Sequence, residues 1–562
     1  MKLRNQFCKL HSLFASQTQP GLPAMAEAMH CSERNMRLLL ARMAERGWLR
    51  WTAARGRGHR SQLHFLTTPD ELMFDQLNGL LAKGELEQAF ARLTEPQRQQ
   101  LSARLPDYLG LPSTGCQLLR MPLSRPVQSL DPLQIFGALE GHLLRQIFSR
   151  LLTYDAGREC LQAGLAHHWE SNGDGTVWHF WLRPGVYFHD GRELTTADVE
   201  ACFLRLRDTP GFYQGLYSHL LRIETGKDRR VSFHLERPDY LWPHCMVTAT
   251  SSIVPAQRSP DFARLPVGSG AFRVVRNNPY QLTLRANPGY YREQALLDEI
   301  DLWVMQAADD PPCFDLHFGY TPSPSYAQAL MVAEYGSTHL VCNPACALLQ
   351  DQATRLAVAD WIAPAALFAA DDPARRQARG LVPGWQHRAL SSLHPPALPP
   401  GTRLRLVCSD SREMSQLGSA VKRRMEQAGW QVEWRQLSFA RLLQRDWLEE
   451  CDLYIAREMM HDDRDFASYE WLRSGTVFRC MLPAGVRDWL DAELDQIQAT
   501  SQSALRMQRY EQAGRRLTSE GWLIPLSHEN HYVSVAPHVA GVSMTPFGFV
   551  SFGHLWLREP QD

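Results

Sequence analysis

Hydrophobic residues recur with a helical period near the start of the chain. Between residues 32 and 47 they fall at i, i+3, i+4 and i+7, so that one face of a helix would be buried. Ser32 is a suitable N-cap and Gly47 a suitable stop, which predicts a helix over 32–46. A shorter apolar-faced helix is predicted over 22–29, and a turn joins the two. The predicted buried residues of the longer helix are Met36, Leu39, Leu40 and Met43.

Two short alternating segments follow, and they predict strands at 48–52 and 61–66. The sequence AARGRGHR joins them, at residues 53–60. Its glycines permit a close backbone approach, and its arginines can reach phosphates or a minor groove. Helix, turn, helix and basic hairpin is the order of a winged helix-turn-helix domain, which we expect at 1–66.

The charge of the chain is unevenly distributed. Residues 1–66 contain eleven Lys and Arg against three Glu, a net +8, whereas the whole chain carries −1, which leaves −9 for the remainder. A basic head on an acidic body indicates a polyanion partner for the head alone. Arg34 and Arg37 lie opposite the predicted buried face, near the helix end that enters a major groove first. The residues expected at the DNA are Ser32, Arg34, Asn35, Arg37, Arg42, Arg55, Arg57 and Arg60.

An alternative interpretation of the head is a solvated, positively charged helical domain that binds protein. Charge, helix face and wing together favour double-stranded DNA. The head lacks the row of aromatic residues on a sheet that would indicate binding to single-stranded RNA. Residues 67–115 have helical segments broken by Gly and Pro and predict a helical linker, with a dimerising surface as the alternative.

The segment WHFWLRPGVYFHDGRELTTADV, residues 178–199, is the most specific stretch of the body. Its order of aromatic strand, Arg-Pro-Gly, His-Asp-Gly and Thr-capped helix resembles the signature of the family-5 solute-binding proteins. PVGSGAFRV (266–274), NPGYYRE (287–293) and the stretch 510–533 resemble further segments of that family. The resemblance implies a two-lobed periplasmic-binding-protein-like body of type II, in which PVGSGAFRV crosses into the second lobe.

A chain of 562 residues is too long for one hydrophobic core and implies two to four domains. We therefore expect an α/β protein with an N-terminal winged helix-turn-helix and a two-lobed body. The expected divisions are a DNA-binding domain at 1–66, a helical linker at 67–115 and a sensor at 116–562, with lobe one at about 116–265 and 505–562 and lobe two at about 266–504.

The head and the body together resemble the SgrR-type transcriptional regulators, which respond to sugar-phosphate stress. NMRLLLARMAERGWLRW in the head and LRPGV in the body carry this resemblance. It implies a ligand-responsive regulator whose partners are double-stranded DNA and a small metabolite, with RNA polymerase as a further candidate and with activation and repression both open. The alternative is a substrate-binding component of a transport system, tethered to a partner by its N-terminal extension.

The sequence predicts a cytoplasmic protein without a membrane partner. Lys9 and His11 interrupt the apolar stretch that a secretory signal would need. No run approaches the length of a membrane span. The twelve cysteines are scattered without a CxxC motif, which favours reduced thiols over disulfides or a metal site.

No enzyme motif is present, and we expect neither catalysis nor a cofactor or metal. His528 and His531 fall on a predicted strand, where i and i+3 point to opposite faces. The run from His461 to Asp465 is interpreted as a solvated loop, with a cation site as the alternative. His189 and Asp190 are assigned to the scaffold, as parts of a tight turn.

Effector residues are implied only by the resemblance to the family-5 proteins. The stretch before and within the first helix of the body would line the cleft, and the loop 381–386 would supply a pocket wall. An anionic sugar phosphate would need Arg, Lys or helix N-termini. The residues nominated in this way are Glu140, His142, Arg145 and Trp385.

Overall fold

The computed structural model describes most of the chain, which divides into two compact units, one at 1–112 and one from 113 onward apart from 305–313. Of the predicted linker 67–115, only 67–69, 71–73 and 93 are among the described residues. The described residues are 2–15, 20–53, 61–69, 71–73, 93, 116–135, 137–304, 314–362, 367–369, 371–385, 401–474, 476–545 and 548–558.

The first unit follows the predicted order of helix, turn, helix and hairpin. Its described elements are α1 (Lys2–Phe14), α2 (Leu22–Ala28), α3 (Glu33–Glu45), β1 (Leu49–Thr52) and β2 (Gln62–Phe65). β1 and β2 are antiparallel, with Leu49 opposite Phe65 and Thr52 opposite Gln62. The predicted helices and strands are confirmed to within one or two residues at their ends.

Helix α1 is an element that the sequence analysis did not predict. One face of α1 packs into the same core as the buried residues of α3. Lys9, which interrupts the apolar run, is exposed on the other face. The segment therefore has the spacing of an amphipathic helix, which a search for an unbroken apolar stretch overlooks. The buried residues of α1 are Leu3, Phe7, Leu10 and Phe14.

Both ends of α3 form as its sequence predicts. The Ser32 hydroxyl accepts a hydrogen bond from the Asn35 amide at 3.3 Å, which satisfies one of the free N–H groups of the first turn. At the other end Gly47 has φ of +73°, a conformation that favours glycine. The next amide, that of Trp48, then donates to the Met43 carbonyl at 3.0 Å. These caps fix which residues α3 exposes.

The second unit is a mixed α/β structure. Its strands are β3 (Leu118–Leu123), β4 (Leu152–Asp155), β5 (Cys160–Ala163), β6 (Ala166–Ser171), β7 (Val177–Leu182), β8 (Leu220–Thr225), β9 (Arg230–Leu235), β10 (Phe272–Asn277), β11 (Gln281–Ala286), β12 (Glu299–Val304), β13 (Leu316–Gly319), β14 (Gln328–Ala333), β15 (Gly336–Cys342), β16 (Arg375–Gln377), β17 (Arg403–Ser409), β18 (Gln431–Leu437), β19 (Leu453–Met459), β20 (Leu523–Val535), β21 (Val539–Ala540) and β22 (Trp556–Leu557). Its α-helices are α4 (Ala138–Ile147), α5 (Thr196–Asp208), α6 (Gln214–Tyr217), α7 (Trp242–Cys245), α8 (Gln352–Trp361), α9 (Arg412–Glu426), α10 (Phe439–Leu442), α11 (Arg464–Arg473), α12 (Val477–Cys480), α13 (Ala484–Gln498) and α14 (Ser503–Ser519).

Three larger sheets organise this unit. One has the order β10-β11-β12-β3, and a second, wholly antiparallel, has the order β6-β7-β9-β8. The largest has the order β13-β20-β15-β19-β17-β18, with β14 and β16 also paired to β20. The long strand β20 therefore joins several segments that are distant in sequence.

One sheet of the body contains strands from both sides of the expected lobe boundary near residue 265. β12 pairs in parallel with β3, from Glu299 opposite Leu118 to Val304 opposite Leu123. Residues 272–304 therefore share a sheet with the start of the body. The stretch 266–270 returns against the end of α4, where the Gly270 amide donates to the Ile147 carbonyl at 2.8 Å. PVGSGAFRV thus leads back to the first sheet.

The signature segment is a structural hairpin followed by a capped helix. Trp178, Phe180 and Leu182 alternate inward from β7 into the core. Thr195 and Asp198 form the predicted capping box at the start of α5. The buried Asp198 carboxylate also accepts hydrogen bonds from the Arg192 guanidinium at 2.8 and 3.1 Å. These contacts attach the hairpin to α5.

His189 connects the signature turn to the stretch 266–270, which packs against the end of α4. The Gly268 amide donates to His189 Nδ1 at 3.2 Å, so Nε2 carries the proton and donates to the Gly270 carbonyl at 3.1 Å. Burial lowers the pKa of His189 to about 4, which keeps the ring neutral at pH 7. The Asp190 side chain accepts from the Arg192 amide within the turn. Both residues hold the backbone in place.

Candidate DNA-binding surface and effector residues

Helix α3 has one buried face and one exposed face, which carries three arginines as well as Glu33 and Glu45. Its four predicted core residues are all buried. Arg34, Arg37 and Arg42 are exposed, as are Ser32 and Asn35 at its start. The only charge partner shown for these three arginines among the described residues is Glu33, 3.8 Å from Arg37 in an exposed pair. An exposed pair of that length holds Arg37 weakly, so the guanidinium is available to a polyanion.

The positions of these residues around the helix axis divide the exposed face into a centre and two edges. With about 100° between successive residues, Arg34 lies near the centre of that face. Arg37 and Arg42 lie on its two edges, about 140° apart. A helix in a major groove directs its central residues to base edges and its marginal ones to the two phosphate backbones. The arrangement suits both kinds of contact.

The remaining residues predicted to contact DNA are Ser32 and the three arginines of the wing. The Ser32 hydroxyl is already used as the cap of α3, so its structural role is established whatever it contacts outside. Arg55, Arg57 and Arg60 lie outside the described residues. The strands β1 and β2 on either side of them are paired antiparallel.

Glu140, nominated for the effector cleft, is a buried structural residue. Its carboxylate accepts two hydrogen bonds from Arg125, at 2.6 and 2.8 Å, and one from the Gln128 amide at 3.2 Å. Arg125 in turn lies 4.3 Å from the centre of the Phe439 ring. These contacts occupy the carboxylate and connect the segment before α4 with α10.

His142 is also buried, and its ring stacks on Phe549 with centroids 4.6 Å apart. Burial, and to a smaller degree the charge of Arg145, lowers the pKa of His142 to about 3. The imidazole is therefore neutral at pH 7 and packs as an aromatic residue. The His142 ring also packs edge-to-face with Phe552, at 4.7 Å between centroids. Contact with two aromatic rings indicates a role in the core.

Arg145 lies beside a second half-buried arginine, Arg150, which the sequence did not single out. Arg150 has buried Nε and Nη1 atoms with no hydrogen-bond partner among the described residues. Burial, and next the charge of Arg145, lowers the pKa of Arg150 to about 10. Tyr290 and Tyr291 lie close enough to influence the same guanidinium. The buried donor atoms of Arg150, beside the positive charge of Arg145, make a chemically suitable place for an anion.

Trp385 belongs to another part of the body. It is buried, and its amide donates to the Val382 carbonyl at 3.0 Å. The residues nominated for the effector therefore comprise three on one helix, of which Glu140 pairs with Arg125 and His142 stacks on Phe549, and a tryptophan on a separate loop. The structure brings Arg145 and His142 together and does not establish a shared pocket with Trp385.

A buried ionic network on the largest sheet was missed by the sequence analysis. Arg457 donates to Glu334 at 2.8 Å, bonds His531 at 3.0 Å and also contacts the Tyr320 hydroxyl. The adjacent Glu458 has a pKa raised to about 8 by burial and then by the charges of Glu470 and Glu334. Arg457 lies on β19 and His531 on β20, while Tyr320 and Glu334 directly follow β13 and β14, so only the pairing of these strands brings the four residues together.

Three residues of the run from 461 to 465, His461, Asp463 and Asp465, are buried, so the prediction of a solvated loop is wrong. Asp463 caps α11 and bonds His244 Nδ1 at 2.5 Å, from α7. Asp465 pairs with Arg506 of α14 at 2.5 Å. His461 lies 3.4 Å from Glu470. Asp463 and Asp465 meet different basic partners, and tertiary packing therefore buries both of them together with His461.

His528 and His531 point to separate partners, as their spacing on a strand predicts. His528 Nδ1 lies 2.7 Å from the Gly336 carbonyl, and His531 faces Arg457 and Glu334. Within the described ranges, no group of three or more His, Cys, Asp or Glu is arranged to hold a metal ion. Nor does any helix in the described part of the chain have the length and apolar character needed to cross a membrane.

Two known protein families match separate parts of the chain. Residues 2–113 match the family described as "Sugar transport-related sRNA regulator N-term". Residues 161–311 match "Bacterial extracellular solute-binding proteins, family 5 Middle". The first match covers the basic head and the second covers the signature hairpin.

Curated relatives match this chain over most or all of its length. A protein of Yersinia enterocolitica is 28% identical over 572 residues, covering 100% of this chain and 99% of the relative. A protein of Salmonella typhi is 32% identical over 395 residues, covering 69% of this chain and 70% of the relative. Both are described as "HTH-type transcriptional regulator SgrR".

Solved structures show the fold of the body. The periplasmic binding protein AgaA of A. tumefacien R10, in complex with agropinic acid, gives a TM-score of 0.67 at 18% identity, covering 79% of this chain and 99% of the other. The periplasmic binding protein DppA of Helicobacter pylori, in complex with the peptide STSA, gives the same score and identity, with 79% and 98% covered. Together with the family matches, they confirm the predicted fold class.

Proposed function

Because this chain belongs to the SgrR family of HTH-type transcriptional regulators, we propose that its first unit binds double-stranded DNA and its second unit senses a small-molecule effector. The observation that carries the DNA-binding half is the exposed face of α3, with Arg34 at its centre and Arg37 and Arg42 at its edges. The net +8 of residues 1–66 supports it. A protein with these partners acts in the cytoplasm, where the chromosome is accessible.

The effector that best suits the body is a small anion, with a sugar phosphate as the favoured class. Arg145 and Arg150 are neighbouring cations, and two nitrogen atoms of Arg150 are buried without a hydrogen-bond partner among the described residues. A phosphate group would neutralise their repulsion and accept hydrogen bonds from guanidinium groups in their preferred geometry. Tyr290 and Tyr291 supply adjacent aromatic surface for a sugar ring.

Two other roles have less support. A transport receptor with a tethering extension would not need an arginine-lined helix face, and the relatives that match the whole chain are regulators. The proposal also contains no catalytic step, in agreement with relatives described as transcriptional regulators. Function therefore rests on two binding events and on the coupling between them.

The DNA-binding half is tested by selecting duplexes from a randomised pool with the full chain. We expect enrichment of a defined sequence by the unchanged protein and its loss when Arg34, Arg37 and Arg42 are all replaced by Ala. The matched control replaces three exposed arginines of the body, Arg264, Arg403 and Arg515, by Ala. Equal enrichment by both triple variants would contradict the role of α3.

The effector half is tested by calorimetry with glucose 6-phosphate, glucose and inorganic phosphate on the full chain. We expect glucose 6-phosphate to bind more tightly than either fragment. Arg150→Gln should weaken that binding at least about tenfold, since a charge-assisted hydrogen bond is worth about 1.5–3 kcal/mol. Arg403→Gln, at an exposed arginine, serves as the control. Absence of binding to all three probes would contradict the sugar-phosphate proposal and leave DNA binding unaffected.

A further inference from the structure

Leu38 is an apolar residue on the exposed face of α3. Its exposed fraction is 57%, whereas the other apolar residues with long side chains on this helix are buried. A single exposed leucine is common on protein surfaces and requires no explanation by itself. Its place on the helix is what distinguishes it. Leu38 lies one turn after Arg34 and directly follows Arg37, on the face that carries the three arginines.

Leu38 lies near the middle of that face. With about 100° per residue, Arg34, Leu38 and Ala41 fall within about 30° of its centre, while Arg37 and Arg42 mark its edges. In a major groove the two edges meet phosphates on opposite walls, and the centre meets base edges. The small side chain of Ala41, three residues beyond Leu38, permits the helix to approach the bases closely.

The chemistry of the groove leaves one suitable contact for a leucine. Base edges in the major groove present hydrogen-bond donors and acceptors, and the thymine 5-methyl is the apolar group among them. A leucine placed on a donor or acceptor would remove water without replacing its hydrogen bonds. We propose that Leu38 is a specificity-determining residue that packs on the 5-methyl group of a thymine. This inference rests on the proposed DNA-binding function.

The test uses a duplex enriched from a randomised pool by the full chain. Each thymine of the enriched site is replaced in turn by deoxyuridine, which pairs identically and lacks only the methyl group. We expect one such replacement to weaken binding about fourfold, since burying a methyl-sized group is worth about 0.8 kcal/mol. Leu38→Ala should bind the thymine and uracil duplexes equally at that position.

Leu221→Ala is the matched control, because Leu221 has an exposed fraction of 58% and lies in the second unit. This variant should keep the fourfold preference for thymine. Leu38→Met, which retains an apolar side chain of similar volume, should keep most of it. Equal thermal unfolding of the three variants would exclude misfolding as the cause of any difference.

The outcomes separate the inference from the function on which it rests. Failure to enrich any duplex would overturn the proposed DNA binding and the inference with it. Enrichment of a defined site with no thymine-to-uracil penalty, or with the penalty retained in Leu38→Ala, would overturn the role of Leu38 alone. If Leu38→Ala instead dissociated an oligomer of the free protein and left the preference intact, the leucine would belong to a contact between copies.

Discussion

Both oxygens of the Glu140 carboxylate accept hydrogen bonds from the Arg125 guanidinium, at 2.6 and 2.8 Å, and the glutamate side chain is almost fully buried. We expect Glu140→Gln to lower the free energy of unfolding by about 2 kcal/mol. Removal of one partner from a buried pair costs about 3–5 kcal/mol, and Arg125 is partly exposed, which reduces the loss. Urea denaturation of the full chain, followed by tryptophan fluorescence, measures the change.

Glu236→Gln is the control for this prediction. Glu236 pairs with Arg237 at 3.7 Å in an exposed position, and such pairs contribute about 0–1 kcal/mol. A Glu140→Gln variant with unchanged stability and a lost effector response would show that the carboxylate serves the effector site after all.

Arg42, at the edge of the exposed face of α3, is expected to contact phosphate. Arg42→Ala should weaken binding to all duplexes alike and reduce the slope of log K against log salt by about 0.9, since one fewer counterion is released. Arg34→Ala, at the centre, should weaken the selected site by about 1–3 kcal/mol and relax base preference. Fluorescence anisotropy between 50 and 200 mM salt measures both, with the exposed body residue Arg515→Ala as the control. Identical slopes of log K against log salt for all three variants would show that Arg42 does not contact the DNA.

The stability of the body should fall in acid because of His142. Burial holds its folded-state pKa at about 3, well below the unfolded value of about 6.5. The resulting stability is complete above pH 6.5 and is lost as the pH falls from there towards 3, by at most about 1.4 kcal/mol per pH unit. His142→Phe keeps the stacking on Phe549 and cannot be protonated, so its acid slope should be flatter. His167→Phe, at an exposed histidine, should keep the slope of the unchanged protein.

The features that the sequence predicted well are local ones. The limits of α3 depend on Ser32, Gly47 and a 3.6-residue period, all within 16 positions of each other. The capping box of Thr195 and Asp198 depends on a spacing of three. Such signals are complete within one helix, so a single sequence is sufficient to find them.

The features that the sequence did not predict depend on long-range pairing. Arg457 of β19 reaches Glu334, which precedes β15, because β15 and β19 pair side by side, although 123 positions separate the two residues. The burial of Asp463 depends in the same way on α7, which supplies His244. The pairing of Glu140 likewise depends on Arg125, which lies on an irregular segment 15 positions earlier. Periodicity carries no information on such contacts, which only the tertiary fold creates.

Glu458 should make the body less stable at high pH, whereas His142 should make it less stable in acid. Burial, and then the charges of Glu470 and Glu334, raises its folded-state pKa to about 8, so the folded chain holds a proton that the unfolded chain releases near 4.5. Stability from this group is complete below pH 4.5 and is lost as the pH rises towards 8, at up to about 1.4 kcal/mol per unit. Glu458→Gln stays neutral, so it should exceed the unchanged protein in stability at pH 8. Glu449→Gln, at an exposed glutamate, should show no such gain.

The final prediction concerns the coupling between effector and DNA. A ligand shifts an equilibrium only when it prefers one conformation, because equal affinity for both states changes nothing. Allosteric couplings are typically about 1–3 kcal/mol, so glucose 6-phosphate should change the affinity for the enriched duplex by about 5- to 150-fold. Calorimetry of the full chain, with and without saturating duplex, measures the reciprocal effect on glucose 6-phosphate.

Linkage requires the two changes to be equal, which makes the prediction strict. Arg150→Gln should remove the effect of glucose 6-phosphate on DNA affinity without changing DNA affinity in its absence, because Arg150 lies in the second unit. Arg42→Ala should weaken DNA binding and leave the coupling factor unchanged, since it removes a phosphate contact common to both states. Equal affinities for glucose 6-phosphate in the two titrations would mean that DNA binding and sensing are uncoupled. Sensing would then act at a later step, for which contact with RNA polymerase is the candidate.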